Sequence, residues 1–203
     1  MPPPRARRAA VAGLLLAPGA GAGSDQPALV AIAGAVAALG VEVERMDFPH
    51  RLAGRRVPDR PPVLEAAVRD RAGQFATRLG VATAALVLGG RSMGGRVCSQ
   101  AVAAGLPAAG LVLVSYPLHP PGHPDRLRTA HLGAIGVPCL FVSGTRDAFG
   151  TPGELRSASA LVRGPVTHVW IDGGDHGLRR RDDAVAEAVA RWVAGTFDVR
   201  TGG

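Results

Sequence analysis

Short runs that are apolar at nearly every position alternate along this chain with Ala-rich amphipathic stretches. Val11–Ala17, Ala84–Leu88, Leu111–Tyr116, Val137–Val142 and Val166–Ile171 have the length and composition of strands. Leu86-Val87-Leu88 and Leu111-Val112-Leu113-Val114 leave no polar face at all, which requires a sheet covered on both sides. Val41–Phe48 instead alternates Val, Val, Met, Phe with Glu, Glu, Arg, Asp, and reads as a strand nearer an edge. Helical stretches fall between the strands at Pro27–Leu39, Val63–Leu79, Gly94–Ala104, Pro152–Leu161 and Asp182–Phe197. Ser24-Asp25 stand before the first as capping residues, and Gly40 and Gly80 close the first two. Strict strand–helix alternation implies right-handed crossovers and an α/β fold, a doubly wound, mostly parallel sheet of about six strands. The expected organisation is one domain over residues 9–199, with a disordered head (1–8) and tail (200–203). Two stretches carry no clear element: the basic, Pro-rich Arg51–Pro62, and Pro117–Gly136 with its four prolines. A loop as long as the second is usually functional or mobile, and it is the candidate for a partial lid.

Composition changes this picture little. The chain has 203 residues, 47% of them hydrophobic, which excludes disorder and allows one well-buried core. All 23 basic residues are arginine, against 16 acidic ones, and lysine and asparagine are missing. That alphabet fits a GC-rich coding sequence, and the arginines are scattered with few aromatics between them. The net charge of +7 therefore argues only weakly for a nucleic-acid partner. Cys98 and Cys139 form no C-x-x-C pair, so packed thiols in a reducing compartment are the simpler reading. No run reaches the roughly 18 apolar residues of a membrane span. The basic start followed by Ala9–Ala17 superficially resembles a signal peptide, but that run is needed as a core strand, so a cytoplasmic protein is expected.

The chemistry-bearing motif follows the Ala84–Leu88 strand directly. Gly90-Arg91-Ser92-Met93-Gly94 fits G-x-S-x-G, a sharp turn that lifts a serine oxygen above the sheet edge and opens into a helix. A serine needs a base, and the base needs an orienting acid. Asp147 lies just past the strand ending at Val142, and His176 sits in the Gly-rich Gly173–Gly177 loop after the last strand. Ser92, Asp147 and His176 thus follow three different strands at the carboxyl edge, where open α/β sheets hold their sites. Asp172 and Asp175 compete with Asp147 as the acid, but a neighbour in a tight turn rarely points at the histidine ring; Asp175 is read as a turn former. Asp147 itself has a competing reading as a cap for the helix near Pro152. Oxyanion donors are expected from the backbone of Met93 and of Ala20, the latter in the small-residue loop Ala17–Gly23. Arg91, Arg146 and Tyr116 are candidates for binding substrate, the two arginines for an anionic one. His119, His123 and His131 show no metal-ligand spacing with carboxylates, so neither a metal nor a cofactor is expected.

The segments Ala17–Gly23, Gly90–Gly94, Ser143–Asp147 and Gly173–Gly177 together resemble the α/β-hydrolase superfamily. Over its whole length the chain is similar to the small, lid-less branch related to dienelactone hydrolase. Its first strand corresponds to the third of that fold. The resemblance implies Ser92 as nucleophile, His176 as base and Asp147 as acid, acting on a small to medium ester, lactone or thioester through an acyl-serine. One departure stands out: Ala17-Pro18 replaces the His-Gly that usually opens the oxyanion loop. The rival expectation is a binding or scaffold protein that keeps the fold with weak turnover, supported by that altered loop and by the basic Arg179-Arg180-Arg181.

Overall fold

The apolar runs at Val11–Ala17, Ala84–Leu88, Leu111–Tyr116 and Val137–Val142 become inner strands whose alternate side chains enter two different cores, and Val166–Ile171 becomes an edge strand. The computed structural model describes residues 8–199, so the expected head and tail lie outside it except for Arg8, whose guanidinium donates to Ala194 O. In chain order the elements are β1 (Ala10–Val11), β2 (Gly13–Ala17), α1 (Pro27–Ala37), β3 (Glu42–Arg45), α2 (Pro49–Leu52) and α3 (Pro61–Leu79). They continue with β4 (Leu86–Arg91), α4 (Met93–Ala103), β5 (Gly110–Val114), β6 (Cys139–Gly144), α5 (Pro152–Ser159), β7 (Val166–Ile171), α6 (Asp182–Thr196) and β8 (Asp198–Val199). Six strands form one parallel sheet in the order β3-β2-β4-β5-β6-β7. Leu15, Leu88, Leu113 and Phe141 face the core under α3, α4 and α5. Their neighbours Leu14, Val87, Val112 and Leu140 face the core under α1 and α6. All eight are essentially inaccessible to solvent, and burying each such side chain contributes roughly 1.5–3 kcal/mol.

The chain moves outward from β2 to β3, then crosses back over β2 to β4 and continues away. The strand order therefore reverses between β2 and β4, which opens a crevice at their carboxyl ends. Ala17 pairs with Gly90, so the loop after β2 and the turn after β4 emerge side by side.

Several local expectations are revised. Ser24 does not cap α1; its backbone N–H and hydroxyl both donate to the Asp47 carboxylate at 2.7 Å, and Gln26 occupies the cap position without a side-chain bond to the helix's first turn. β3 ends at Arg45, short of the alternating run that continues to Phe48. Within Arg51–Pro62 the chain closes the short α2 and then starts α3 at Pro61, where two prolines lose nothing because first-turn N–H groups have no helical acceptor. The apolar run Val11–Ala17 breaks at Ala12, and its first part pairs in parallel with β8, a strand beyond the last helix that no sequence pattern announced.

Pro117–Gly136 is anchored along much of its length. Leu118, Leu132 and Ile135 are buried, Tyr116 donates its hydroxyl to Arg128 O at 2.8 Å, and Arg128 N–H donates to Leu118 O at 2.8 Å. His131 lies in this loop with Nε2 2.8 Å from Ser99 Oγ; burial, then the nearby Arg96 charge, lowers its pKa to about 4. The folded protein thus resists a proton that the unfolded chain accepts near 6.5. Its contribution to stability is complete above pH 6.5 and is lost as pH falls towards 4. Urea unfolding of the wild type and His131→Gln at pH 7, 5.5 and 4.5 should show a shallower acid limb in the variant; parallel limbs would contradict this account.

Candidate active site

At the end of β4 the backbone is forced into an unusual shape. Ser92 has φ 50° and ψ −115°, costly for a residue with a Cβ, and the turn is held by Ser92 N–H donating to Val114 O at 2.8 Å. The flanking glycines are demanded by proximity to β2. A Cβ on Gly90 would stand 2.0 Å from Ala17 O, and one on Gly94 would stand 2.1 Å from the same oxygen. With α4 starting at Met93, the serine hydroxyl sits at a helix N-terminus, where unpaired N–H groups favour developing negative charge.

The three residues expected to act together do meet. Ser92 Oγ lies 2.9 Å from His176 Nε2, and His176 Nδ1 lies 3.0 and 2.9 Å from the two oxygens of Asp147. Asp147 is only 2% exposed, and its Oδ1 also accepts the Phe149 N–H at 2.8 Å. A buried carboxylate facing Nδ1 selects the tautomer with the proton there, leaving Nε2 free to accept the serine proton. Asp147 is not a helix cap; Thr151 caps α5 in a reciprocal arrangement with Glu154. Asp175 turns the chain instead, its carbonyl accepting Leu178 N–H.

A cavity of about 740 Å³ opens beside Ser92, with Gly19, Ala20, Met93 and His176 in its wall. In the loop after β2, Gly19 N–H donates to Gln26 Oε1 at 3.1 Å and Ala22 N–H to Gly19 O at 3.1 Å. Among the described residues the amides of Ala20 and Gly21 meet no acceptor, and both residues line the cavity together with Met93. Gln26 thus shapes the loop, a role with no signal in the sequence.

Three other expectations fare differently. Arg91 lines the cavity, but its guanidinium donates to His176 O at 2.8 Å and Gly177 O at 2.9 Å, so it braces the histidine loop. Burial lowers its pKa, opposed by the charges of Asp182, Asp147 and Asp175. Tyr116 is 1% exposed and outside the cavity wall; burial pushes its hydroxyl pKa up, and it secures the Arg128 segment. Arg146 is exposed and faces a separate surface depression with Arg179 and Arg181. The cavity gains residues that the sequence reading passed over. Phe149 stacks on His176 with ring centroids 3.9 Å apart, restricting the imidazole to the plane that faces Ser92. Arg96 and Arg128 also line it. Arg96 was discoverable, because it lies four residues after Ser92 on one helix face; Phe149 and Arg128 were not.

Among the described residues, no group of three or more metal-ligating side chains comes together, and no helix is long and apolar enough to cross a membrane. Both thiols are free and buried, with pKa values raised to about 12 by burial.

A parallel sheet that reverses at β2/β4, with a serine on the turn after β4 and a histidine–carboxylate pair beyond later strands, is the architecture of an α/β hydrolase. Residues 10–195 match the alpha/beta hydrolase domain, and the chain belongs to that family, whose membership supports hydrolase activity in general. Solved structures agree on the fold. An alpha-beta serine hydrolase homologue from Coxiella burnetii is 18% identical over 94% of this chain and 88% of its own, with a TM-score of 0.74. Dienelactone hydrolase from Anabaena variabilis is 16% identical over 95% and 89%, with a TM-score of 0.74. Est1E from Butyrivibrio proteoclasticus is 15% identical over 97% and 91%, also with a TM-score of 0.74.

Proposed function

We propose that this protein is a serine hydrolase that cleaves a small to medium ester, lactone or thioester through an acyl-serine intermediate. The observation that carries the reading is the unbroken relay from Ser92 Oγ through the His176 ring to the buried Asp147. In the first half-reaction Ser92 Oγ attacks the carbonyl carbon while its proton passes to His176 Nε2. The tetrahedral oxyanion is held by the N–H groups of Met93 and Ala20, aided by the positive end of α4. Collapse expels the alcohol or thiol, which takes its proton from His176. Water then attacks the acyl-serine, gives a proton to the same nitrogen, and the carboxylic acid leaves with Ser92 restored. A cavity of about 740 Å³ suits a small molecule, and we place the reaction in the cytoplasm, in keeping with two free buried thiols.

The missing His-Gly of the usual oxyanion loop does not favour the scaffold alternative. The small residues after Ala17 still bring unengaged amides to the cavity, with Gln26 doing the bracing. A fluorophosphonate probe tests the reading directly. Stoichiometric labelling mapped by peptide mass spectrometry to Ser92 is expected, together with turnover somewhere on a p-nitrophenyl ester chain-length panel. No labelling and no turnover would leave the binding or scaffold role in its place.

A further inference from the structure

Three arginines line the cavity beside Ser92, and their surroundings differ. Arg91 is engaged with two backbone carbonyls of the histidine loop and lies in the field of three aspartates. Arg96 has no hydrogen-bond acceptor for its guanidinium and no carboxylate within 4.0 Å among the described residues. Arg128 donates to Pro117 O at 3.2 Å, and among the described residues no carboxylate is within ion-pair distance of it either. The cavity's lining carboxylate, Asp59, accepts from Arg55 through Oδ1 at 2.7 Å, and its Oδ2 lies 3.7 Å from His50 Nδ1 rather than beside either arginine. Burial, then the Arg96 charge, lowers the pKa of Arg128, opposed by the Tyr116 hydroxyl and reinforced by Arg126, with no carboxylate among the causes.

This arrangement is built rather than incidental. Arg96 projects from α4 one turn after the nucleophile. Arg128 is fixed by bonds from Tyr116 to its carbonyl, from its own N–H to Leu118 O, and from its guanidinium to Pro117 O. Holding two like charges together in a partly desolvated cavity is unfavourable until an anion enters between them. Guanidinium groups suit planar, bidentate recognition of oxyanions.

We infer that Arg96 and Arg128 form the anion-binding end of the cavity, so that the substrate is an ester bearing a carboxylate or phosphate on the same small molecule. This inference rests on the serine-hydrolase reading for its choice of substrate, but the anion site itself can be tested without turnover. The scissile carbonyl lies over Ser92 while the anionic group reaches along α4 to the two arginines. That tether orients the carbonyl and excludes neutral esters of equal length by leaving both guanidiniums unpaired.

The test compares p-nitrophenyl hemiglutarate with p-nitrophenyl pentanoate, esters of similar length with and without a terminal carboxylate. The wild type is expected to favour the anionic ester by about tenfold or more in kcat/KM, mainly through KM, as one charge-assisted contact warrants. Arg96→Gln and Arg128→Gln should each collapse that ratio, and Arg96→Lys should restore part of it. Arg163→Gln, exposed, outside the cavity wall and not among the charges that act on Arg128, should leave the ratio unchanged. Competition by glutarate against inorganic phosphate then distinguishes the two oxyanions. A wild-type ratio near unity, or a ratio unmoved in both arginine variants, overturns the inference while leaving the hydrolase reading intact. Should neither ester be cleaved, titration calorimetry with glutarate and with phosphate decides it. Binding lost in both variants upholds the anion site although the hydrolase reading has failed; no binding of either anion overturns it.

Discussion

Ser92→Ala is expected to lower turnover of the best ester on the panel by about 10⁴–10⁶-fold, with KM little changed. The substitution removes the proposed nucleophile, the hydroxyl that among the described residues stands 2.9 Å from His176 Nε2 at the helix N-terminus. What survives is water attack assisted by the oxyanion donors and by substrate positioning. Stability should not confuse the result. Alanine carries the same Cβ as serine, so the strain at φ 50° is already present in the wild type. His176→Ala should cost a similar factor, and the double variant should add almost nothing, because the two side chains act as one unit. Retention of more than about 1% of wild-type kcat by Ser92→Ala would contradict the proposed nucleophile.

Gly94→Ala carries the largest expected effect on stability. Its new methyl would lie 2.1 Å from Ala17 O and 2.6 Å from Pro18 O. Ordinary overpacking costs about 1–3 kcal/mol because side chains yield. Here the obstacle is the backbone of β2 at the point where it pairs with Gly90, so relief requires parting two central strands. A loss above about 4 kcal/mol is expected, in the range that unfolds many domains. Any folded remainder should be inactive, because the same movement displaces the Ala20 amide. Gly34→Ala is the internal control: its Cβ would meet nothing within 4 Å on α1, and it should stabilise by about 0.5–1 kcal/mol. Thermal and urea denaturation of both variants would settle the matter, and a Gly94→Ala midpoint within about 2 °C of wild type would refute the packing argument.

The reach of sequence reasoning can be followed residue by residue. Ser92 was legible because its signal is local: a strand, a tight turn with small flanks, and a helix, all within a dozen positions. Asp147 and His176 were legible because a parallel sheet puts every strand's carboxyl end at one edge, so position along the chain already implies proximity. Arg91, Arg146 and Tyr116 were candidates by adjacency to those motifs, and adjacency is a poor guide for long side chains. Arg91 bends back to two carbonyls of the histidine loop, Arg146 leaves for the surface, and Tyr116 turns inward to the Arg128 segment. Ser24 has the chemistry of a cap, but the Asp47 carboxylate, brought close by the β2–β3 pairing, competes successfully for it. The β1–β8 pairing joins stretches far apart in the chain, and two-residue strands have too short a pattern to announce themselves.

Hydrophobic periodicity by itself determined the α/β class, the parallel sheet and the succession of strands after which Ser92, Asp147 and His176 fall, because these depend on local propensity and on burying each apolar face. The Gly90–Gly94 motif determined that Ser92 would stand on a sharp turn. Only the tertiary structure decided which of the loop's amides remain free, which ring steadies the histidine, and which of many arginines meet in the cavity. Those outcomes depend on where the tips of flexible side chains find partners, and partners far apart in the chain are chosen only once the sheet has brought them together.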